Sequence, residues 1–291
     1  MQLESIISII TPSFNQGKFI EKTLRSVIFQ KGDFWIDFVI MDGGSKDQSV
    51  EIIQNYEEQL RQFCEKENHY DLQFYVNRKD SEFLKCLGVS YRWKSEKDKG
   101  QSDALSKGFS KGIGRIFAWI NSDDNYISDD VFQHVFSHFD SKTEVLVGDT
   151  IALDSNGTEL WRQKPPKPTI FSMLYKQIAP PQPAVFFTQS LFQRVGGLNE
   201  TLRYVMDIDL WFRFLFAKAK FKKVEKLYAI QVYHEDAKSL EGGGLFAAFQ
   251  PEDKAMKKQY KLRLGNVHYL YQFFYILYKI AYRTAKFLLR R

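Results

Sequence analysis

Through the first 120 residues, short apolar runs alternate with segments whose apolar positions recur every three or four residues. That alternation predicts a mainly parallel sheet with crossover helices. Residues 6–10 predict a strand ending near Thr11, followed by a polar loop over 12–17 and a helix with Ile20, Leu24, Val27 and Ile28 on one face. A second strand over 38–41 ends at Asp42 and a Gly43-Gly44-Ser45 turn, and a helix begins near Ser49. Residues 72–76 predict a third strand. The next twenty, 78–97, mix charges with Phe83, Leu84, Leu87, Tyr91 and Trp93, and read as an insertion.

A short helix is expected over 102–111, then an apolar strand over 116–120 that stops at Asn121-Ser122-Asp123-Asp124. A helix over 130–139 precedes a strand over 145–147. Asn156-Gly157 predicts a hairpin between 151–153 and 159–162. Pro165, Pro166 and Pro168 force an extended connection. Beyond it, helices are expected near 170–175 and 206–217, and strands at 184–187 and 223–233.

The 291 residues are 44% hydrophobic, enough for a packed core, which excludes a disordered chain. Cys64 and Cys86 are too few for a disulfide framework or a structural zinc site. The first residues lack the basic start and cleavage site of a secretory signal, so a cytoplasmic location is expected. The net charge of +6 is unevenly distributed. Ten of the 41 Lys and Arg fall in 254–291, which has no Asp or Glu, leaving residues 1–253 with 31 basic against 35 acidic residues. A basic face across the whole domain would suggest nucleic acid. Charge gathered in one terminal segment suggests an anchor instead, and no nucleic-acid partner is expected.

In an open parallel sheet, ligands collect beyond the carboxyl ends of the strands. Three polar clusters fall there: 11–15, 42–45 and 122–124. Asp123 and Asp124 could share one hard divalent cation, Mg or Mn, bridging to phosphate oxygens, or could cap a helix and shape a turn. The first loop has no glycine-rich phosphate cradle, so phosphates would need such a cation. Asp42 reads equally as a turn residue or as an acceptor for a base N–H or ribose hydroxyl. Around Gly100, the run Asp98-Lys99-Gly100-Gln101-Ser102-Asp103 reads as a close backbone approach or a solvated helix start. Asp207 and Asp209 are too close in sequence to share a helix face, so one could act as a general base while the other supports the helix. His234, beside Glu235 and Asp236 and before Gly242-Gly243-Gly244, is a candidate metal or phosphate ligand or a plain surface histidine.

The runs ISIITPSFNQGKFIEKTLRSVIFQ, VIMDGGSKDQSVEII, EKDKGQSDALSKGF, IFAWINSDDNYI and QPAVFFTQSLFQRVGGLNETLRYVMDIDLWFR together resemble the family-2 glycosyltransferases of GT-A fold, in order over about residues 5–235. The resemblance implies a catalytic domain over 1–240, with a nucleotide-sugar half to about 125 and an acceptor half after it, and a basic aromatic helical tail over 241–291. It implies inverting transfer from a nucleotide-diphosphate sugar (UDP first, dTDP or GDP as alternatives) to an acceptor hydroxyl, with Mn or Mg. It assigns donor binding to Thr11, Pro12, Ser13, Asn15, Asp42, Asp98, Gly100 and Asp123. Asp124 becomes the preferred metal ligand, with Asp123 and His234 as further candidates. Asp207 becomes the catalytic base, with Asp209 as its alternative. The sequence departs from the family pattern at Met206, where an acidic residue often stands.

In the tail, His268, Gln272, Lys279, Arg283, Lys286 and Arg290 fall on one helical stripe, with Val267, Leu270, Phe274, Leu277, Ala281 and Leu288 on other faces. An interfacial helix on an anionic inner leaflet is expected, suited to a glycan or lipid-linked acceptor of surface polysaccharide synthesis; packing on the catalytic domain is the alternative. Two competing readings are a non-catalytic binding or scaffold protein of the same fold and a sugar nucleotidyltransferase. The latter would need a glycine-rich basic first loop, which TPSFNQGKF lacks.

Overall fold

The computed structural model describes residues 5–69, 71–235, 237 and 247–288. Asp236, Gly242, Gly243, Gly244 and Arg290 lie outside the described residues, and the side chains of Lys286 and Leu288 are likewise not described.

Among the described residues, one mixed sheet of eleven strands organises the molecule. Its centre is four parallel strands: β1 (Ile6–Ser13), β2 (Gly32–Asp42), β5 (Cys86–Ser95) and β6 (Ile116–Trp119), in the spatial order β5-β2-β1-β6. Outside β5 lies the antiparallel hairpin of β3 (Cys64–His69) and β4 (Leu72–Asn77). Beyond β6 come β10 (Val185–Thr188), antiparallel to both its neighbours, then β8 (Val145–Asp154), β11 (Phe221–Tyr233) and the two-residue β7 (Asn125–Tyr126). The Asn156-Gly157 hairpin forms as expected: β9 (Glu159–Gln163) pairs with the end of β8, and Gly157 takes φ +84°.

Helices cover both faces. On one side α1 (Ile20–Ile28), α2 (Ser49–Phe63) and α4 (Val131–His138) pack Leu24, Ile53, Leu60 and Phe132 against Ile7, Ile9, Ile36 and Phe38. On the other, α3 (Gln101–Phe109), α5 (Ile170–Tyr175), α6 (Gln189–Arg194) and α7 (Met206–Phe216) bury Phe109, Met173, Phe192, Trp211 and Phe214 around Phe117 and Trp119. Successive residues of β1, Ile9 and Ile10, serve opposite cores, as the period of two along a strand requires.

Two expectations are corrected, for residues 78–97 and for the length of β2, and one further strand, β3, answers to no expectation. Residues 78–97 are not an insertion, because they contain β5, paired in register with β2 from Trp35↔Gly88 to Asp42↔Ser95. Its signature is hidden by Arg92, which forms a 2.5 Å ion pair with the buried Asp37, and by Gly88, where a Cβ would lie 2.6 Å from the Trp35 ring. Asp37 likewise obscures the first half of β2. Strand β3, CEKENH, is a charged edge of the kind that discourages further pairing, and its polarity removes the strand pattern.

The tail forms α8 (Gln250–Leu264) and α9 (Val267–Leu288), separated at Gly265. Helix α8 buries Met256 and Tyr260 against α7, with Phe212 and Tyr260 rings 4.5 Å apart. Helix α9 touches α5 through Tyr271 and Tyr275, and His268 Nδ1 lies 2.5 Å from Tyr175 Oη.

Candidate active site

The register Ser13↔Asp42↔Ser95, with Ile120 N donating to Ile10 O, brings the carboxyl ends of β1, β2, β5 and β6 to one edge. A cleft of about 1650 Å³ opens there. Its walls include Pro12, Ser13 and Phe14 from the first loop, Gly43, Asp98 and Gly100, the Asn121–Asp124 loop, the 202–208 segment, and Phe249, Gln250, Asp253 and Lys257 of the tail.

At the first-loop end the backbone is tightly drawn together. Gly43 N donates to Ser13 O (2.8 Å) and Glu96 N to Asp42 O (2.9 Å). A Cβ on Gly43 would lie 2.7 Å from Asp98 Oδ2 and 3.3 Å from Phe14 Cδ2, so glycine permits this approach. Asp42 is buried and accepts from Gly44 N (3.0 Å), Ser45 N (2.9 Å), Ser45 Oγ (2.5 Å) and Ser95 Oγ (2.6 Å). It shapes the turn that presents Gly43. Thr11 is buried within β1, away from the cleft walls, and Asn15 accepts from Lys46 N (2.9 Å) at φ +53°. Pro12, Ser13, Asp98, Gly100 and Asp123 do line the cleft. Ser13 Oγ is buried without a hydrogen-bond partner among the described residues, so the cleft wall offers a hydroxyl to a ligand. Gly100 takes φ +117° as the N-cap of α3, and its N–H donates to Asp98 Oδ1 (2.8 Å).

The two adjacent aspartates have different surroundings. Asp124 is buried; its Oδ1 accepts from Val232 N (3.1 Å), and Thr23 Oγ1 donates to its carbonyl (2.6 Å). Burial, and then the neighbouring Asp123, push the Asp124 carboxyl well above the ordinary carboxylate range. Asp123 is more open, with Oδ2 3.2 Å from His234 Nε2. His234 is buried, stacked on Phe19 at 4.1 Å, and its Nδ1 has no hydrogen-bond partner among the described residues. Two acids, Asp124 buried and Asp123 half-buried, thus stand beside the His234 imidazole, while the wider cleft wall carries Lys97, Lys99, Arg203 and Lys257. The carboxylate oxygens of Asp123 suit Mn or Mg, and the imidazole of His234 favours a transition metal over Mg. Among the described residues no group of three or more His, Cys, Asp or Glu side chains gathers as a ready-made metal cage. Phosphate oxygens or water would have to complete any coordination.

Asp207 and Asp209 also separate. Asp207 lies in the first turn of α7 and lines the cleft. Asp209 is buried behind it, bound to Arg213 Nε (2.8 Å) and accepting from Tyr260 Oη (2.7 Å). It anchors helices and is not among the cleft walls.

Three cleft features escape the sequence reading. Phe14 is 58% exposed at the cleft rim, an aromatic ring set in a polar loop. Gln101 Nε2 donates to Asn121 Oδ1 (2.7 Å), joining two cleft segments that only the fold brings together. Glu252 of α8 binds the chain just before α7, a contact for which the sequence holds no signal beyond a Pro-Glu-Asp helix start.

The sequence matches the family described as Glycosyl transferase family 2 over residues 8–196. An uncharacterized glycosyltransferase of Rickettsia typhi is 23% identical over 220 residues, 72% of this chain and 58% of its own length. This chain thus spans little more than half of that relative. Among solved structures, Staphylococcus aureus TarS 1–349 in complex with UDP-GlcNAc superposes with TM-score 0.58 at 16% identity, covering 86% of this chain and 66% of that one. The mannosyltransferase PcManGT of Pyrobaculum calidifontis, in complex with GDP-Man and Mn2+, gives TM-score 0.56 at 14% identity, covering 89% and 65%. These likenesses share the GT-A fold.

Proposed function

Since the chain belongs to glycosyl transferase family 2, we propose that it transfers a sugar from a nucleoside-diphosphate donor to an acceptor hydroxyl, with inversion at the anomeric carbon. The observation that carries this reading is the meeting of Asp123, backed by the buried His234, and Asp207 in one cleft at the carboxyl edge of the sheet. The nucleotide ligands of TarS and PcManGT support a nucleotide-sugar donor, with UDP the first candidate.

Asp123 and His234 would hold a divalent cation, Mn or Mg, which when bound neutralises the departing diphosphate. This reading gives Asp124, which also lines the cleft, the supporting part: it accepts from the Val232 N–H and fixes the loop against β11. Ser13 Oγ, the Gly43 backbone and Asp98 orient the nucleoside. Asp207 accepts the proton of the acceptor hydroxyl as the new bond forms, since a neutral hydroxyl is a weak nucleophile. Direct displacement on one face of the sugar inverts the configuration.

The acceptor is a glycan or lipid-linked glycan of bacterial surface polysaccharide, met at the inner face of the plasma membrane. The support is α9, whose Leu270, Phe273, Phe274, Ile276, Leu277 and Ile280 are 46–57% exposed on a segment free of acidic residues. Among the described residues no helix is long and apolar enough to cross a membrane.

The test is a thermal-shift panel of UDP, dTDP and GDP with and without Mn, followed by diphosphate-release assays on the matching sugar nucleotides. Stabilisation by one nucleotide that requires Mn, and turnover lost in Asp207→Asn, are expected. No stabilisation by any nucleotide would overturn the reading; binding without turnover in the presence of polysaccharide acceptors would favour a non-catalytic protein.

A further inference from the structure

The start of the helix that carries Asp207 is held by a side chain from the tail. Glu252 Oε1 accepts from Arg203 N (2.8 Å), and Oε2 accepts from Tyr204 N (2.7 Å) and Val205 N (3.0 Å). Three consecutive backbone N–H groups thus converge on one carboxylate immediately before Met206, the first residue of α7. Hydrogen bonds to an ionised acceptor are about twice as strong as neutral ones, and an anion ahead of a helix N-terminus also meets the positive end of its dipole. The same helix, α8, grips α7 a second time, where Tyr260 Oη donates to Asp209 (2.7 Å). On either side of the Glu252 grip, Phe249, Gln250, Asp253 and Lys257 reach the cleft wall, with Phe249 and Tyr204 rings 5.0 Å apart.

No acidic residue stands directly before Asp207, because Met206 occupies that position and is buried in the core. A carboxylate nevertheless sits at this helix start, delivered from 45 residues downstream of Asp207.

We propose that Glu252 is a positioning residue for Asp207 and that α8 is a fixed wall of the acceptor side of the cleft. The tail is then part of the active site, and its first helix couples the anchor-like α9 to the catalytic helix. The inference rests on Asp207 being the base. Glu252 fixes the Arg203–Val205 backbone, that segment fixes the first turn of α7, and the first turn fixes where the Asp207 carboxylate meets an acceptor. The nucleotide end of the cleft, built from β1, β2 and β6, does not depend on it.

The test uses the full chain carrying Glu252→Gln, Glu252→Ala and Glu252→Asp, with the exposed Gln259→Ala as control. Hydrogen exchange at the 203–208 amides, UDP affinity with Mn, and kcat and KM for diphosphate release are read on each. Glu252→Gln and Glu252→Ala should speed exchange at those amides and lower kcat by about tenfold or more, while UDP affinity stays within about twofold. Glu252→Asp should recover part of both effects, and Gln259→Ala should match the parent. Unchanged exchange, unchanged kcat despite faster exchange, or UDP affinity falling in step with kcat would each overturn the proposal. Should Glu252→Ala fail to fold, the near-isosteric Glu252→Gln carries the test. If Asp207 is not the base, Asp207→Asn keeps its turnover, whereas the exchange result at 203–208 still reports on Glu252 alone.

Discussion

His234 Nε2 stands 3.2 Å from Asp123 Oδ2, joining the end of β11 to the loop after β6 across 111 residues of sequence. Two residues earlier, within β11, the same loop is tied a second time by Asp124, through Val232 N. On the proposed reading, Asp124 serves the backbone and Asp123 holds a ligand. Asp123→Ala and His234→Ala should each abolish the Mn-dependent part of the thermal stabilisation by UDP, and Asp123→Ala should leave the unliganded protein little changed. Asp124→Ala should instead lower the unliganded stability by about 1–3 kcal/mol, because the Val232 N–H loses its acceptor. Chemical denaturation with and without Mn separates the two outcomes, and a stable Asp124→Ala protein that no longer responds to Mn would reverse the assignment.

The two acids of α7 should divide in the same way. Asp207→Asn should cut turnover by about a hundredfold or more, the usual scale for losing a general base, while leaving the melting temperature near the parent's. Asp209→Asn weakens the charge-assisted bonds to Arg213 and Tyr260 and should cost about 1–3 kcal/mol of stability. Paired kinetic and unfolding measurements on both variants check this; a stable but inactive Asp209→Asn protein would make Asp209 the base.

The sequence pattern located these elements well wherever apolar period and function coincided. The end of β2 at Asp42, the Asn156-Gly157 hairpin and the start of α7 at Met206 are legible in the apolar pattern and its turn residues, while β1 and β6 end at Ser13 and Trp119, close to the expected Thr11 and Ile120. The reading failed where buried charge compensates buried charge. Asp37 and Arg92 neutralise each other inside the sheet, so the halves of β2 and β5 that hold them look like solvated chain. Site residues were legible by identity but not by orientation. Nothing local distinguishes Asp123 from Asp124, or Asp207 from Asp209; the partners that separate them, Val232 N, His234, Arg213 and Tyr260, include groups as far as 111 residues away.

Phe14 gives a prediction about the donor. Its ring is exposed at the rim beside Gly43 and Asp98, the position from which it could stack on a nucleobase. Aromatic–base stacking is worth about 1–3 kcal/mol, so Phe14→Ala should weaken UDP binding by roughly 5- to 150-fold, and Phe14→Trp should retain it. Calorimetric titration reads both, and equal affinity of Phe14→Ala and the parent would place the base elsewhere.

Cys64 offers a pH-dependent check on the packing of the sheet edge. Burial pushes its thiol up to about 11, against an ordinary value of 9.0. A thiol whose pKa is raised on folding leaves stability intact below the unfolded value and erodes it as pH rises towards the folded one. Stability should therefore fall between about pH 9 and pH 11 in the parent and less so in Cys64→Ala. At pH 8 the native Cys64 should resist alkylation, whereas the denatured chain should react promptly. Rapid native labelling at Cys64 would contradict its burial.

The tail makes the last prediction, and the fold determines where to cut. Removing everything from Gln250 would take away Glu252 and Tyr260 and so damage the α7 helix along with any anchor. Ending the chain at Gly265 removes α9 alone. Beyond that point lie five Lys and Arg, no acidic residue, and the exposed Leu270, Phe273, Phe274, Ile276 and Leu277. Each basic group near an anionic surface contributes about 1 kcal/mol, and the apolar side chains add area that water would otherwise cover. The parent should co-sediment with vesicles containing anionic lipid, less so with neutral vesicles and less so at high salt, whereas the shortened chain should stay in the supernatant and still bind UDP with parental affinity. If both forms partition equally, α9 is not the anchor. If the parent instead forms concentration-dependent dimers that the shortened chain does not, and ignores vesicles, the apolar face of α9 is a subunit contact rather than a membrane contact.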